Sequence, residues 1–342
     1  MSKQKVLIVC GGPDNEHEVS LLTGKNVYDN IDRHLFDPQL CLIDKQERWY
    51  TLEESNLADI AQWSRADFVP LTYDNSSSCF ATGGYDLVFN ALHGKYGEGG
   101  RFQCILDQAG VKYTGSGVSA SVVAINKRLT SQIVSTLNSW GVRIPLELEV
   151  RQGQNYPDRV KDFLKELPAT QKIVLKANTD GSSFNVHIFE SRDFGQLQLT
   201  LRSMLETNEA VLLQECIEGM ELTCPVLGTG RDLETLPVGL IKPARGWFDF
   251  EAKYSGQSEE LFPAPVDTEL STRMQFISRD IHEALGCRGL TRSDFIVDRF
   301  GEVHFLEINT SPGMTAQSLC PKSAYAYGWS YSELVTRIIK SA

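Results

Sequence analysis

The sequence predicts an α/β protein that begins with an open, mostly parallel sheet. Strand-like segments cover residues 5–12, 40–44 and 85–94, and helix-length segments separate them. Strands that alternate with helices in this way join into parallel sheets, because each crossover helix returns the chain to the same end of the sheet. The glycine-rich segment 93–100 follows the last of these strands. It therefore falls where open α/β sheets bind their ligands.

The chain has 342 residues, of which 42% are apolar, so it can form two or three domains that each bury a core. A second region begins near Gly115 with an amphipathic helix, and a third region carries a hairpin and a final helix. A long aromatic segment bounded by prolines is typical of a lid, with Lys253 and Tyr254 as its expected inward-facing groups. The expected limits are 1–115, 116–214 and 215–342 for the domains and about 244–266 for the lid.

The composition excludes several classes of partner. The net charge is −11 and the isoelectric point is near 5.1, without any run of lysine and arginine, so we expect no nucleic-acid partner. No apolar stretch is long enough to span a membrane. The N-terminus leads directly into a strand, so we expect a cytoplasmic protein. The eight cysteines contain no C-x-x-C motif, which favours free thiols over disulfides or a zinc site.

A hairpin near the C-terminus is the strongest candidate for a functional site. Two strand-like runs flank residues 300–301, and a two-residue turn there would place Asp294 opposite Glu307 and Arg292 opposite Asn309. Side chains two apart on a strand share a face, so all four of these side chains should point the same way.

The facing carboxylates of this hairpin predict a metal ion. Two acids directly across a ladder repel each other, and a cation between them would remove the repulsion. Asp, Glu and Asn are oxygen ligands of the kind that favour Mg²⁺. Without a metal, Glu307→Gln should then stabilise the protein slightly. A solvated sheet face is the alternative, but the paired Arg292-x-Asp294 favours a site.

The segment after the strand at 172–176 is a candidate phosphate loop. Lys176 ends the strand and can supply a point charge, and Gly181, Ser182 and Ser183 can direct N–H groups and hydroxyls toward phosphate oxygens. The Walker A pattern is absent. An ordinary hairpin loop is the alternative interpretation.

Residues 115–120 formally fit the pattern G-x-G-x-x-A, which would suggest a dinucleotide-dependent oxidoreductase. Such a site also requires an acidic residue at the end of a second strand about 20 residues further on. In this sequence that position falls within a helix and a turn. We therefore interpret the segment as a domain junction.

Glu16 lies at the start of a predicted helix, with Asn15 as the N-cap and Glu18 as its partner in a capping box. In the first turn, the Glu16 carboxylate either stabilises the helix dipole or receives a ligand amine beside the sheet. The residues alone leave both interpretations open.

Seven motifs occur in the order NEHEVSL, ALHGKYGEGG, VKYTGSGVSAS, K-x-x-x-x-GSS, FDFEAKY, CRGLTRSDF and EINTSPGMTAQSL. Together they resemble the D-alanine:D-alanine ligases of the ATP-grasp superfamily, and the similarity covers about residues 5–340. The resemblance implies an ATP-grasp fold. In this fold an N-terminal open parallel α/β domain precedes central and C-terminal α+β domains that hold ATP between them.

The resemblance also implies an activity. It is the ATP-dependent ligation of two D-alanine molecules to D-alanyl-D-alanine through an acyl phosphate, for peptidoglycan precursor synthesis. ATP and two Mg²⁺ ions, with Mn²⁺ as an alternative ion, are the implied cofactors. A homodimer is the implied assembly. The alternatives are a D-alanine:D-serine ligase, less favourably a D-lactate ligase, and an ATP-binding paralogue without catalysis.

The resemblance assigns roles to individual residues. Those matching the family's ATP-binding positions are Lys127, Lys176, Ser183, Gln214, Glu215, Glu221 and Lys253. Those matching its catalytic positions are Glu16, Ser182, Tyr254, Arg292, Gly313 and Ser318. Those matching its substrate-binding positions are Glu16, His93, Ser318 and Leu319, and those matching its metal ligands are Asp294, Glu307 and Asn309.

The sequence departs from the family pattern at two places. Gln214 stands where the family usually has Glu, and Lys95 and Gly99 stand where it commonly has Pro and Asp. The Gln214 carbonyl can still accept a hydrogen bond from an adenine amino group, so we expect altered nucleotide affinity rather than lost binding. Lys95 adds a cation near the expected site of the first substrate.

Overall fold

The structure is a computed structural model that describes residues 2–52, 68–71, 84–137, 140–179, 186–190, 193–242 and 259–342. In these ranges the chain forms three sheets with helices around them.

The first sheet has the strand order β4-β3-β2-β1-β5. Its strands are β1 Gln4–Gly11, β2 Phe36–Ile43, β3 Trp49–Leu52, β4 Phe68–Leu71 and β5 Leu87–Asn90, and its helices are α1 His17–Asn30, α2 Gly94–Glu98 and α3 Arg101–Ala109. Strand β1 pairs in parallel with β2 and β5, whereas β3 and β4 add an antiparallel edge. The predicted parallel sheet is therefore confirmed at its centre.

The last predicted strand of this sheet is shorter than expected. Strand β5 ends at Asn90, whose side chain accepts from Leu92 N at 3.1 Å and donates to Gly97 O at 3.0 Å. The Asn90 side chain thus turns the chain out of the sheet. It holds the glycine-rich segment at the carboxyl end of the strands.

The start of α1 also differs from the prediction. The N-cap position is occupied by Glu16, without a side-chain capping hydrogen bond, so the predicted Asn15 cap is wrong. Ser20 Oγ instead accepts from Gly11 N at 2.8 Å and donates to Ala91 O at 2.8 Å. The first turn of α1 is therefore fixed by the ends of β1 and β5 rather than by a capping box.

Two helices, α4 Val118–Ile125 and α5 Lys127–Thr136, follow the junction at Gly115. Gly115 lies so close to Gly289 that a Cβ on Gly289 would be 3.0 Å from it. Ser116 Oγ donates to Arg288 O at 3.2 Å. The segment 115–120 therefore joins the first region to the C-terminal sheet, as the junction interpretation predicts.

The central sheet is antiparallel, with the strand order β6-β9-β7-β8. Its strands are β6 Glu147–Arg151, β7 Lys172–Ala177, β8 His187–Glu190 and β9 Ala210–Glu215, and its helices are α6 Pro157–Lys165 and α7 Phe194–Thr207. Residues such as Ile173, Leu175 and Leu213 pack against these helices in an apolar core. Lys176 and Gln214 alternate with them and therefore lie on the opposite face.

The C-terminal sheet is also antiparallel and has the order β13-β12-β10-β14-β15, with β11 beside β10. Its strands are β10 Gly219–Thr229, β11 Asp232–Thr235, β12 Gly239–Lys242, β13 Glu259–Leu261, β14 Gly289–Asp298 and β15 Val303–Asn309. The helices are α8 Thr268–Ala284, α9 Leu319–Tyr327 and α10 Tyr331–Lys340. Of the predicted lid, 259–261 form strand β13, whereas 244–258 lie outside the described residues.

The core residues link the three regions. Helices α4 and α5 contribute Ala120, Ala124 and Val134 to the core of the C-terminal sheet. Helices α9 and α10 pack instead into the core of the first sheet, together with Val6 and Ile8. The chain thus returns to its first sheet at the C-terminus. The three domain limits drawn from the sequence stay a prediction.

The cysteines agree with the expected free thiols. Seven of them lie in the described ranges and all seven are free. No helix in the same ranges is both long and apolar enough to cross a membrane.

Candidate active site

The hairpin of β14 and β15 has the predicted pairing at its functional end. Arg292 is the Cα partner of Asn309, and Asp294 is the partner of Glu307. The Arg292 and Asp294 side chains are both about nine-tenths buried. The structure therefore brings the four predicted side chains together on one face.

The turn that produces this pairing is not the predicted one. Gly301 adopts a φ of 79° and donates to Asp298 O at 3.0 Å, so the loop contains three residues, 299–301. Compared with the predicted two-residue turn, the extra loop residue would shift the pairing of β14 with β15 by one residue. A β-bulge between Asp294 and Phe295, where Leu306 has no partner, shifts it back.

A bidentate ion pair holds one of the two carboxylates. Arg292 Nε donates to Asp294 Oδ1 at 2.9 Å, and Arg292 Nη2 donates to Asp294 Oδ2 at 2.8 Å. Thr223 on β10 donates its hydroxyl to Asp294 Oδ1 at 2.6 Å. Asp294 thus binds Nε and Nη2 of the guanidinium, and Nη1 takes no part in this ion pair.

A lysine from α5 neutralises the other carboxylate. Lys127 Nζ lies 3.1 Å from Glu307 Oε2, and the Lys127 side chain is only 10% exposed. Lys176 on β7 lies close enough to be influenced by the charges of Lys127, Glu307 and Glu147. Burial, reinforced by the Lys127 charge, lowers the pKa of Lys176 to about 8. The faces of the central and C-terminal sheets that carry Lys176 and Glu307 therefore lie near each other, and we call the space between them the cleft.

These ion pairs change the expectation drawn from the sequence. The two carboxylates do face each other, but Arg292 and Lys127 each offset one of the negative charges. Repulsion between Asp294 and Glu307 is therefore largely compensated without a metal ion. Removing the Glu307 charge should remove an anion that offsets the like charges of Lys127 and Lys176.

The residues still fit a hard divalent cation. Asp294, Glu307 and Asn309 supply carboxylate and amide oxygens, which are the ligands that Mg²⁺ prefers. Asn309 Oδ1 also accepts from Ser311 N at 2.9 Å, which fixes the direction of the amide. In the described ranges no group of three or more His, Cys, Asp and Glu side chains is arranged to hold a metal. A metal here would thus depend on the amide of Asn309.

His93, predicted to bind substrate, joins the first region to the hairpin. His93 Nδ1 lies 2.9 Å from Ser311 O and must donate to it, so His93 Nε2 accepts from Thr23 Oγ1 at 2.8 Å. Burial, together with the charge of Arg292, lowers the pKa of His93, although Glu16 opposes the shift. The imidazole is therefore neutral. Glu16 lies within electrostatic reach of it.

Glu98 is a site residue that the sequence analysis did not select. It accepts from Gly94 N at 2.9 Å, at the end of α2. Burial and the neighbouring Glu16 raise the pKa of Glu98 well above its ordinary value. The sequence feature that could have identified Glu98 is its position as an acidic residue inside the glycine-rich segment 93–100.

The residues Gly313, Ser318 and Leu319, which the resemblance assigns to catalysis and substrate binding, lie directly after the hairpin, and we call them the acceptor side. A Cβ on Gly313 would approach Ser318 Oγ to 2.8 Å, so only glycine fits here without displacing that hydroxyl. Ser318 Oγ accepts from Thr315 N at 3.0 Å. Leu319 is buried against Ile241 and the partly buried Phe262. The acceptor side thus has one apolar wall and one ordered hydroxyl.

The predicted nucleotide residues lie on the neighbouring strands. Gln214 is 3% exposed and donates from Nε2 to Glu147 Oε2 at 3.0 Å. Glu215 Oε2 accepts from Leu146 N at 3.1 Å. Glu221 lies on β10, opposite Ile241 and Ile296.

Four predicted site residues, Ser182, Ser183, Lys253 and Tyr254, lie outside the described residues and stay predictions.

Comparison with family models assigns both ends of the chain. Residues 5–116 match the model described as D-ala D-ala ligase N-terminus, and residues 149–340 match the model described as D-ala D-ala ligase C-terminus.

Relatives match over almost the whole chain. The D-alanine–D-alanine ligase of Herminiimonas arsenicoxydans is 35% identical and covers 99% of this chain and 91% of its own. The D-alanine–D-alanine ligase of Carboxydothermus hydrogenoformans is 33% identical and covers 98% and 97%.

Solved structures share the fold. The VanG D-Ala:D-Ser ligase from Enterococcus faecalis has a TM-score of 0.84 at 28% identity and covers 99% of both chains. The D-alanine-D-alanine ligase from Coxiella burnetii has a TM-score of 0.84 at 23% identity over 99% of this chain and 95% of its own.

The three sheets, with charged faces meeting between the central and C-terminal ones, define an ATP-grasp protein. Within that class, the chain belongs to the D-alanine–D-alanine ligase family.

We predict that Glu307→Gln destabilises the nucleotide-free protein by about 1–2 kcal/mol, because it removes the anion that pairs with the mostly buried Lys127. Urea unfolding measures this change. In the double variant Lys127→Met/Glu307→Gln, the free energy of unfolding should fall by less than the sum of the decreases in the two single variants, since both charges are removed.

The matched control is Glu302→Gln in the same hairpin, where the ion pair with Arg143 is exposed. Glu302→Gln should lower the free energy of unfolding by less than about 1 kcal/mol. A stabilising Glu307→Gln would instead show that repulsion from Asp294 outweighs the pair with Lys127.

Proposed function

We propose that this chain is an ATP-dependent ligase that joins two D-alanine molecules into D-alanyl-D-alanine, for peptidoglycan precursors made in the cytoplasm. The observation that carries the proposal is the cation array of Lys127, Lys176 and Arg292 beside the facing carboxylates. Such an array suits a phosphoryl transfer, in which the protein mainly positions and neutralises phosphate oxygens. Full-length relatives named D-alanine–D-alanine ligase support the substrate. A homodimer stays a prediction.

In the first step, the carboxylate of one D-alanine attacks the γ-phosphate of ATP and gives an acyl phosphate and ADP. Lys127 and Lys176 offset the charge on the phosphate oxygens. Glu16 receives the ammonium of this D-alanine, and the neutral His93 beside it adds no repelling charge. Mg²⁺ held by Asp294, Glu307 and Asn309 would add further neutralisation of the phosphates.

In the second step, the amine of another D-alanine attacks the carbonyl carbon of the acyl phosphate, and inorganic phosphate leaves. Arg292 can donate from Nη1 to the developing oxyanion while Asp294 holds its other side. The Gly313 N–H is the second donor in the proposal. Ser318 and Leu319 line the place of the entering D-alanine.

The deciding assay measures phosphate release with ATP and Mg²⁺ in the presence of single and paired D-amino acids, with products separated by mass. D-alanine alone should give one ADP, one phosphate and one dipeptide per turnover. Phosphate release that no D-amino acid stimulates would refute a ligase.

D-serine as second substrate is the rival that one observation favours. The VanG D-Ala:D-Ser ligase covers the whole chain at 28% identity. The apolar wall at Leu319 can reject the added hydroxyl only modestly, by about 10- to 100-fold. With D-alanine and D-serine at equal concentration, we expect D-alanyl-D-alanine in majority. A majority of D-alanyl-D-serine would show that D-serine is the preferred second substrate. The proposed phosphoryl transfer would be unaffected.

We predict that ATP affinity falls as the pH rises through about 8, the pKa of Lys176, because ATP binds the charged lysine. If the neutral form binds poorly, the affinity drops by up to about tenfold between pH 7 and pH 9. Calorimetry across this range measures the effect. Burial and the Lys127 charge lower the pKa of Lys176, and the charges of Glu307 and Glu147 oppose that shift.

Lys176→Arg is the control, since a guanidinium stays charged at these pH values. Its ATP affinity should be lower but nearly independent of pH over this interval. An unchanged pH profile in Lys176→Arg would show that another group titrates.

A further inference from the structure

A buried carboxylate lies on the cleft face of the central sheet, directly across from Gln214. Glu147 on β6 is the Cα partner of Gln214 on β9. The Glu147 side chain is only 2% exposed, and Gln214 is 3% exposed. Neither the hairpin nor the acceptor side uses Glu147, so its burial requires another explanation.

Hydrogen-bond donors hold both oxygens of this carboxylate. Arg128 Nη1 donates to Glu147 Oε1 at 2.8 Å. Gln214 Nε2 donates to Glu147 Oε2 at 3.0 Å, and Ser131 Oγ lies 3.4 Å from the same oxygen. A buried charge is tolerated when it is paired in this way. The carboxylate is therefore a rigid acceptor fixed by α5.

A rigid acceptor dictates the orientation of the Gln214 amide. Because an ionised carboxylate only accepts, the NH₂ group of Gln214 must face Glu147, and the carbonyl Oε1 must face away from it. Among the described residues no hydrogen bond to Gln214 Oε1 is found. Without Glu147, an amide can rotate and present either a donor or an acceptor to a ligand.

The Gln214 carbonyl lies on the sheet face that also carries Lys176, a candidate phosphate-binding residue. Gln214 and Lys176 alternate with core residues on β9 and β7, so both side chains leave the apolar core. The charges of Glu147 and Glu307 both influence Lys176, and Gln214 is the Cα partner of Val174, two residues from Lys176 on β7. Gln214 and Lys176 are therefore diagonal neighbours on one face of the central sheet.

We infer that Glu147 is a positioning residue for nucleotide selection: it locks Gln214 so that a carbonyl oxygen, never an NH₂ group, faces the base. The inference rests on the proposed use of ATP. A carbonyl acceptor matches the exocyclic amino group of adenine and opposes the carbonyl oxygen of hypoxanthine or guanine. A glutamate at position 214 would accept through either oxygen, so only a glutamine needs such a lock.

The test compares the affinities of ATP and inosine triphosphate, which replaces the adenine amino group by a carbonyl. Binding of each nucleotide with Mg²⁺ is measured by calorimetry on the full chain. Wild type should prefer ATP by about 10- to 100-fold, because the wrong base leaves two facing acceptors. In Glu147→Gln the preference should fall at least about fivefold, while the KM for D-alanine stays unchanged.

A reciprocal exchange separates positioning from a folding defect. Glu147→Gln/Gln214→Glu restores a fixed pair with the carboxylate on the other strand, so it should recover the preference for ATP. Glu149→Gln is the matched control, because Glu149 shares the strand and face but pairs with Arg151 at 2.7 Å. The preference of Glu149→Gln for ATP over inosine triphosphate should equal that of wild type.

Each contrary result has a distinct meaning. An unchanged preference in Glu147→Gln, or a reciprocal exchange that folds without recovering the preference, overturns the positioning role. Equal affinity of wild type for both nucleotides overturns this inference and leaves the ligase proposal intact. A wild type that binds neither nucleotide overturns the proposed function as well.

Discussion

The facing pair of Asp294 and Glu307 is the constraint on which the rest of the site depends. Two carboxylates directly across a ladder are unfavourable unless cations accompany them. Arg292 comes from the same strand as Asp294, whereas Lys127 comes from α5 and reaches Glu307 from outside the sheet. The packing of α5 against the C-terminal sheet is therefore as necessary to the site as the hairpin itself.

The balance of charge explains why the cleft suits a polyphosphate. Lys127, Lys176 and Arg292 are three cations against two hairpin carboxylates. This surplus of positive charge is local, because the net charge of the whole protein is −11. An acidic protein can thus bind an anion where a few placed cations lie in a cleft shielded from water. In the proposed reaction, Lys127 exchanges Glu307 for phosphate when nucleotide binds.

The sequence predicts the parts of the site that are local. Alternation along two strands is enough to place Asp294 opposite Glu307, even though the loop is one residue longer than predicted and the bulge at Leu306 compensates. Contacts between distant segments are different. Thr223, Lys127 and Glu147 reach their partners through the packing of separate elements, which no spacing in the sequence reveals. The Asn15 cap was wrong for the same reason, since Ser20 bonds the ends of two distant strands.

Binding of Mn²⁺ to the nucleotide-free protein tests this account most directly, and electron paramagnetic resonance can measure it. Since Lys127 and Arg292 already neutralise the carboxylates, wild type should bind Mn²⁺ weakly, with a Kd on the order of a millimolar or above. Lys127→Met removes the cation paired with Glu307 and should bind Mn²⁺ about tenfold more tightly. Tight binding by nucleotide-free wild type, unchanged in Lys127→Met, would contradict the claim that protein cations hold these carboxylates until nucleotide arrives.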